Sequence, residues 1–300
     1  MRSEAADYDL VRPGSLAAVL TLLASEPGQY TPIAGGTELM VQFGAGRLRA
    51  RKLVDIFNLP ELTTITVTDA EITIGAGATY TAIRHHEAIA HHLPLLARAA
   101  SWTGAIANQN RGTLGGNLVN GSPAADSPPA LLAYNADLSL TSVRGTRRIP
   151  YDTFHTGYKQ SLLAPDELIL AIHIPRPTYT HQYLRKVGPR NAQAISKVAL
   201  GAVANVAAGT ITSCRIGLAS VAHSPLRCIH TEATLNGSII NAASIARARA
   251  ALLAEIAPID DIRSTAKYRA HVSANLLEEF LHQLSEPKQN RAPFIAVSSR

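Results

Sequence analysis

Two glycine pairs constrain this chain more than any other feature: Gly35-Gly36 within Ala34-Gly35-Gly36-Thr37, and Gly115-Gly116 within Thr113-Leu114-Gly115-Gly116-Asn117. Glycine lacks a Cβ, so it tolerates positive φ and lets backbone N–H groups converge on an anion with no side chain in the way. The flanking residues of the two pairs differ, so they are not copies of a repeated unit.

Around the first pair, Tyr30 to Ala34 reads as a short strand, and Thr37 is expected to cap a helix through Leu39, Met40 and Phe43. A helix start facing a glycine turn favours a phosphate. Glu38 has to turn away from such a ligand, because a carboxylate beside a diphosphate is repelled. The second segment, Arg111 to Pro129, carries four glycines and three prolines. It reads as a stiffened, irregular wrap, with Asn117, Asn120, Ser122 and Asp126 supplying hydrogen-bonding groups. Asp126 has two readings, a cap for the helix after Pro128 or an acceptor for a sugar or ribityl hydroxyl. Either loop alone reads best as an ordinary tight turn before a helix; the pair suggests one extended cofactor held between two lobes.

The rest of the sequence excludes other classes. A chain of 300 residues, 46% hydrophobic and 17% charged, is large enough for two or three lobes with real cores. Its longest apolar stretch, Val198 to Ala208, is broken by Asn205 and falls short of the roughly 18 residues a membrane span needs. Glu4, Asp7 and Asp9 stand where a signal peptide would be basic and apolar, so a cytoplasmic location is expected. Cys214 and Cys228 are too few for an iron–sulfur cluster and lack CxxC spacing; they read as free, partly buried thiols. The net charge of +6 is scattered and aromatics are sparse, against nucleic-acid binding. Its densest cluster, Arg47, Arg49, Arg51 and Lys52, reads as a solvated loop. His85 and His92 would lie about 10 Å apart along one helix, too far for a zinc whose ligands sit about 2 Å away. There is no Gly-Lys pair of a P-loop, Gly75-Ala76-Gly77 lacks the third glycine of a dinucleotide fingerprint, and no nucleophile elbow occurs.

The hydrophobic pattern divides the chain. A βαβ-like start runs through Asp9 to Val11, a Ser15-capped helix to Ala24 and Tyr30 to Ala34, with a strand over Leu53 to Ile56. A hairpin follows, Thr63 to Val67 with Glu71 to Ile74, then a helix from Thr81 to Leu93 and strands near Leu138 to Thr141 and Leu168 to Ile174. Pro175 and Pro177 mark a boundary. Beyond it come antiparallel strands Ile195 to Ala207 and Thr210 to Ala219, and helices Ala243 to Ala254 and Ala270 to Leu284.

At these residues the sequence resembles the flavin-binding medium subunit of molybdenum hydroxylases, the group that includes xanthine dehydrogenase and carbon monoxide dehydrogenase. The resemblance is carried in order by Ile33 to Met40, Asn110 to Asn117, Ser122 to Asp126, Phe154 to Tyr158, Asp166 to Ile169, Lys186 to Gly188, Ala194 to Val198 and Ile259 to Arg269. It implies an α+β architecture: a two-lobed FAD-binding fold of the molybdopterin dehydrogenase (PCMH-like) type, residues 1–58 and 59–177, an α+β C-terminal domain, 178–285, and a tail, 286–300. It further implies non-covalent FAD held by Ile33, Ala34, Gly35, Gly36, Thr37, Glu38, Leu39 and Met40, by Thr113, Leu114, Gly115, Gly116 and Asn117, and by Asp126, Ile169 and Lys186. Ile169 stands where the family has leucine. No catalytic acid, base or metal ligand is implied. The molybdenum cofactor and 2Fe-2S clusters are expected on a large and a small partner subunit, with NAD or another acceptor receiving the electrons. The alternative is a docking subunit that has kept the fold and lost the flavin.

Overall fold

The computed structural model describes residues 4–190 and 193–285; the tail expected over 286–300 lies outside them. The first lobe is a parallel sheet of three short strands, β1 (Asp9–Val11), β2 (Tyr30–Ile33) and β3 (Lys52–Asp55), in the order β1-β3-β2. Helix α1 (Leu16–Ser25) makes the crossover. Its start is fixed by Ser15, whose Oγ accepts from the Ala18 amide at 3.2 Å, and the chain turns back at Gly28, where φ is +77°. Val19, Leu20 and Leu23 of α1 pack with Val54, Leu62 and Leu168, joining this lobe to the next. Helix α2 (Leu39–Gly44) lies between β2 and β3.

After the one-turn helix α3 (Pro60–Thr63), the second lobe builds an antiparallel sheet from β4 (Ile65–Val67), β5 (Glu71–Gly75), β6 (Asp137–Ser142), β7 (Gly145–Pro150) and β10 (Leu168–Pro175), in the order β4-β5-β10-β6-β7. A small hairpin, β8 (His155–Gly157) and β9 (Gln160–Ser161), intervenes in sequence. Between β5 and β6 run six helices: α4 (Tyr80–His85), α5 (Glu87–His92), α6 (Pro94–Trp102), α7 (Ile106–Gln109), α8 (Leu114–Asn120) and α9 (Pro128–Ala133). Ile72 and Ile74 of β5, Leu138 and Leu140 of β6, and Ile172 and Ile174 of β10 pack against these helices in the largest core. Strand β10 gives Ile169, Ile172 and Ile174 to this core and Leu168 and Leu170 to the cluster around α1, while His173 bonds Thr73, Ser139 and Glu71.

The single helix expected over Thr81 to Leu93 is two helices. His86 takes an extended backbone, φ −78° and ψ 117°, ending α4 and starting α5. His85 and His92 therefore sit on different helices, and no group of three His, Cys, Asp or Glu among the described residues could hold a metal.

The third lobe is an antiparallel sheet of β11 (His181–Val187), β12 (Val198–Ala207), β13 (Thr210–Ala219) and β14 (Leu226–Arg227). It is covered on one face by α10 (Ile229–Leu235), α11 (Ala242–Glu255) and α12 (Ala266–Ser285). Its other face meets α9. There Gly201 and Gly217, paired across β12 and β13, let the α9 backbone come close: a Cβ on either would stand 2.7 or 2.6 Å from the Pro129 carbonyl oxygen. Cys214 and Cys228 are free and both fully buried in this lobe, and burial pushes their thiols well above the ordinary value. No helix among the described residues is long and apolar enough to cross a membrane.

Candidate functional site: two glycine loops and a buried ion pair

The two glycine segments, far apart in sequence, touch. A Cβ on Gly35 would fall 1.6 Å from the Arg111 carbonyl oxygen, so only glycine lets the first loop lie against the entry to the second. Arg111 fastens the contact. Its Nε donates to the Gly35 carbonyl at 3.4 Å, and its guanidinium stacks on the Phe57 ring at 3.9 Å. In the sequence Arg111 stands only within the Asn110 to Asn117 motif, and its stacking partner Phe57, distant in the chain, leaves no local signal.

Within the first loop, Gly36 has φ +74° and its carbonyl accepts from the Met40 amide, so helical bonding begins at Gly36. Thr37 consequently lies inside the turn and does not cap: the N-cap of α2 is Glu38, with no side-chain cap bond. Among the described residues the amides of Gly35, Gly36, Thr37 and Glu38 find no acceptor within the protein. A run of free amides around a positive-φ glycine is a concave donor set suited to an anion. Glu38 is drawn aside as the charge argument requires, accepting from Gln42 Nε2 at 3.1 Å and lying 3.9 Å from Lys159 Nζ. Ile33 and Met40 flank Gly36, their side chains 3.5 and 3.4 Å from the position a Cβ there would take.

The second segment is more regular than its glycine and proline content implied. Thr113 caps α8, its Oγ1 accepting from the Gly116 amide at 3.1 Å, and the helix ends at Gly121 in the left-handed region. Gly115 donates to the Ala76 carbonyl at 2.8 Å, and a Cβ there would meet Ala76 at 2.6 Å. Leu114 is buried in the core. Gly116 differs: the single atom a Cβ would meet is Thr113 Oγ1. Next to it, Asn117 Oδ1 is buried without a hydrogen-bond partner, an acceptor left for something outside the chain.

Asp126 does not cap α9. The cap position is Ser127, without a side-chain bond, because both Asp126 oxygens are taken: Lys186 Nζ donates to Oδ2 at 2.6 Å and Ser196 Oγ to Oδ1 at 2.7 Å. Lys186 also donates to the Trp102 carbonyl at 3.3 Å. Burial pushes the Asp126 carboxyl above its ordinary value of 3.8, opposed by the Lys186 ammonium and the Ser196 hydroxyl. Tyr80 connects this pair to the loops: its amide donates to the Gly112 carbonyl, its ring packs on Gly112, and its buried hydroxyl lies near Asp126. Ile169 stands apart. With 4% of its surface exposed, it belongs to the same core as Leu114 and Leu118 and supports α8 from below.

One loop thus carries free amides and the other an orphan acceptor, and a buried carboxylate–ammonium pair lies beyond them, donors and acceptors of the kinds an anionic dinucleotide uses. Comparison with known proteins shows the family. Residues 6–177 match the FAD binding domain in molybdopterin dehydrogenase, and residues 183–284 the CO dehydrogenase flavoprotein C-terminal domain. The chain is 32% identical to the xanthine dehydrogenase FAD-binding subunit of Escherichia coli O157:H7, over 91% of this chain and 94% of that one. It is 27% identical to the carbon monoxide dehydrogenase medium chain of Afipia carboxidovorans, over 94% and 98%. A solved structure of carbon monoxide dehydrogenase from Hydrogenophaga pseudoflava superposes with a TM-score of 0.89 at 26% identity, covering 94% of this chain and 98% of that one. The chain belongs to the family of FAD-binding medium subunits of xanthine and carbon monoxide dehydrogenases, the flavoprotein components of these oxidoreductases. The expected α+β fold with its C-terminal domain is borne out by both matches and by the superposition.

Proposed function

We propose that this chain carries non-covalent FAD as the electron-transfer subunit of a cytoplasmic heterotrimer. In this reading the molybdenum cofactor belongs to a large partner and the 2Fe-2S clusters to a small one, and NAD or another acceptor takes the electrons. The observation that carries the reading is the set of free amides from Gly35 to Glu38 in a loop that packs against Arg111, at the entry to the second glycine segment, in a chain of this family. A bound flavin supplies the redox chemistry. The chain's own part is to hold and orient it: the amides of 35–38 at the diphosphate, the α8 start beside them, and the Asp126–Lys186 pair at a polyol or sugar hydroxyl. Residues 1–58 and 59–177 supply these groups, and 178–285 contributes Lys186 and Ser196.

Purification tests it. The chain is expected to copurify with a cluster-bearing and a molybdenum-bearing partner, its flavin bleached by an organic substrate only in their company. Rapid bleaching of the isolated chain by a purine or an aldehyde contradicts the assignment. A colourless chain that still assembles with both partners supports the docking-subunit alternative.

A further inference from the structure

The segment Ile259 to Arg269 lies in the third lobe and contains no group at the cradle, yet it ends on a buried cation. Arg269, at the start of α12, is 3% exposed. Its Nη1 donates to the carbonyls of Lys197 at 2.7 Å and Ser220 at 3.2 Å, and its Nη2 to Asp261 Oδ1 at 2.7 Å. Asp261 is itself fixed, accepting from the amides of Arg263 at 2.8 Å and Ser264 at 3.1 Å.

The two carbonyls that Arg269 grips belong to the neighbour and to the brace of Ser196, which bonds Asp126. Lys197 follows Ser196, whose hydroxyl donates to Asp126. Ser220 is a three-way brace: its hydroxyl donates to the Ser196 carbonyl at 2.9 Å, its amide to the Pro123 carbonyl at 2.7 Å, and its carbonyl accepts from Arg269. Pro123 lies in the same loop as Asp126, so Ser220 ties that loop to the serine that bonds its carboxylate. Ser220 does this at φ +67°, a left-handed conformation that a serine rarely adopts and that persists only where its surroundings impose it.

We propose that Arg269, anchored by Asp261 and acting through Ser220 and Ser196, is a positioning residue for the cofactor: it sets the Asp126 carboxylate from the far lobe. The proposal rests on Asp126 contacting FAD. Arg269 touches no ligand, so its effect on affinity has to pass through Ser196.

The test is a double-mutant cycle on FAD affinity, measured by fluorescence titration of the flavin-stripped full chain, with thermal melting recorded for each variant. Arg269→Lys keeps the charge but cannot span three acceptors, and is expected to weaken FAD about tenfold. In a Ser196→Ala background the same change is expected to add less than about twofold, as linked residues do. Ser220→Gly is the second variant. Glycine accepts φ +67° without strain, so the fold should persist while loss of the hydroxyl weakens FAD several-fold. Full additivity of Arg269→Lys with Ser196→Ala, or a lowered melting point with unchanged affinity in both Arg269→Lys and Ser220→Gly, overturns the proposal. Asp126→Asn is the separate control on the underlying contact: if it leaves affinity unchanged while Arg269→Lys weakens binding, the Asp126 contact is wrong and the proposal falls with it.

Discussion

The two segments share a Gly-Gly pair before a helix and use it in opposite ways. In the first, Gly36 turns at positive φ and four successive amides are left without protein acceptors. In the second, helix α8 consumes its own donors: the Gly115, Gly116 and Asn117 amides go to Ala76, the Thr113 hydroxyl and the Thr113 carbonyl. One pair leaves backbone donors unspent; the other removes side chains so that α8 can approach the chain at Ala76. A glycine pair therefore reads as a phosphate loop only when its amides are unspent, and a cap residue such as Thr113 spends them.

The sharpest way to break this comparison is Gly35→Ala. Its Cβ would overlap the Arg111 carbonyl, so the lobes must shift, with a loss of about 3 kcal/mol and of bound FAD; denaturant unfolding and flavin content check it. Gly36→Val acts more narrowly. The positive φ costs roughly 1–2 kcal/mol, the fold is expected to survive, and FAD occupancy to collapse because the donor run is disordered. If occupancy stays full, the free amides are not the anion site. Gly116→Ala gives a smaller effect. Its new methyl meets Thr113 Oγ1 at 2.9 Å, weakening the cap by about 1 kcal/mol while improving helix propensity by nearly as much. Stability should scarcely change, and FAD should bind several-fold more weakly; an unchanged affinity places Gly116 outside the cradle.

The smallest effect is a pH control at an ion pair bonded to neither loop. Arg147 donates to Glu167 at 2.8 Å and holds its carboxyl below the ordinary 4.5. That contribution is present above pH 4.5 and is lost as pH falls through the lowered value. Glu167→Gln should flatten the acid limb of a stability–pH curve without altering FAD affinity at pH 7.

Much of the fold was legible because it is written locally. Ser15 caps α1, the β12–β13 turn sits at Gly209, and the apolar runs on either side of it form the paired strands β12 and β13. What was not legible depended on distant partners. Thr37 lost its capping role to bonding that begins at Gly36, and Asp126 lost its own to Lys186 and Ser196, far along the chain. Ile169 followed from family position alone, whereas its burial follows from its place in the main core with Leu114 and Leu118. The strand β11, polar at several positions, gave no clean alternation, yet it carries Lys186.

The most direct measurement is calorimetric titration of the flavin-stripped chain with FAD and with riboflavin, which keeps the ring and polyol but lacks the diphosphate. The expected result is one FAD per chain, released intact by acid precipitation, with riboflavin bound at least a hundredfold more weakly, about 2.7 kcal/mol. Equal binding of riboflavin and FAD, or flavin that stays with the precipitated polypeptide, contradicts a non-covalent cofactor held through the amides of residues 35–38.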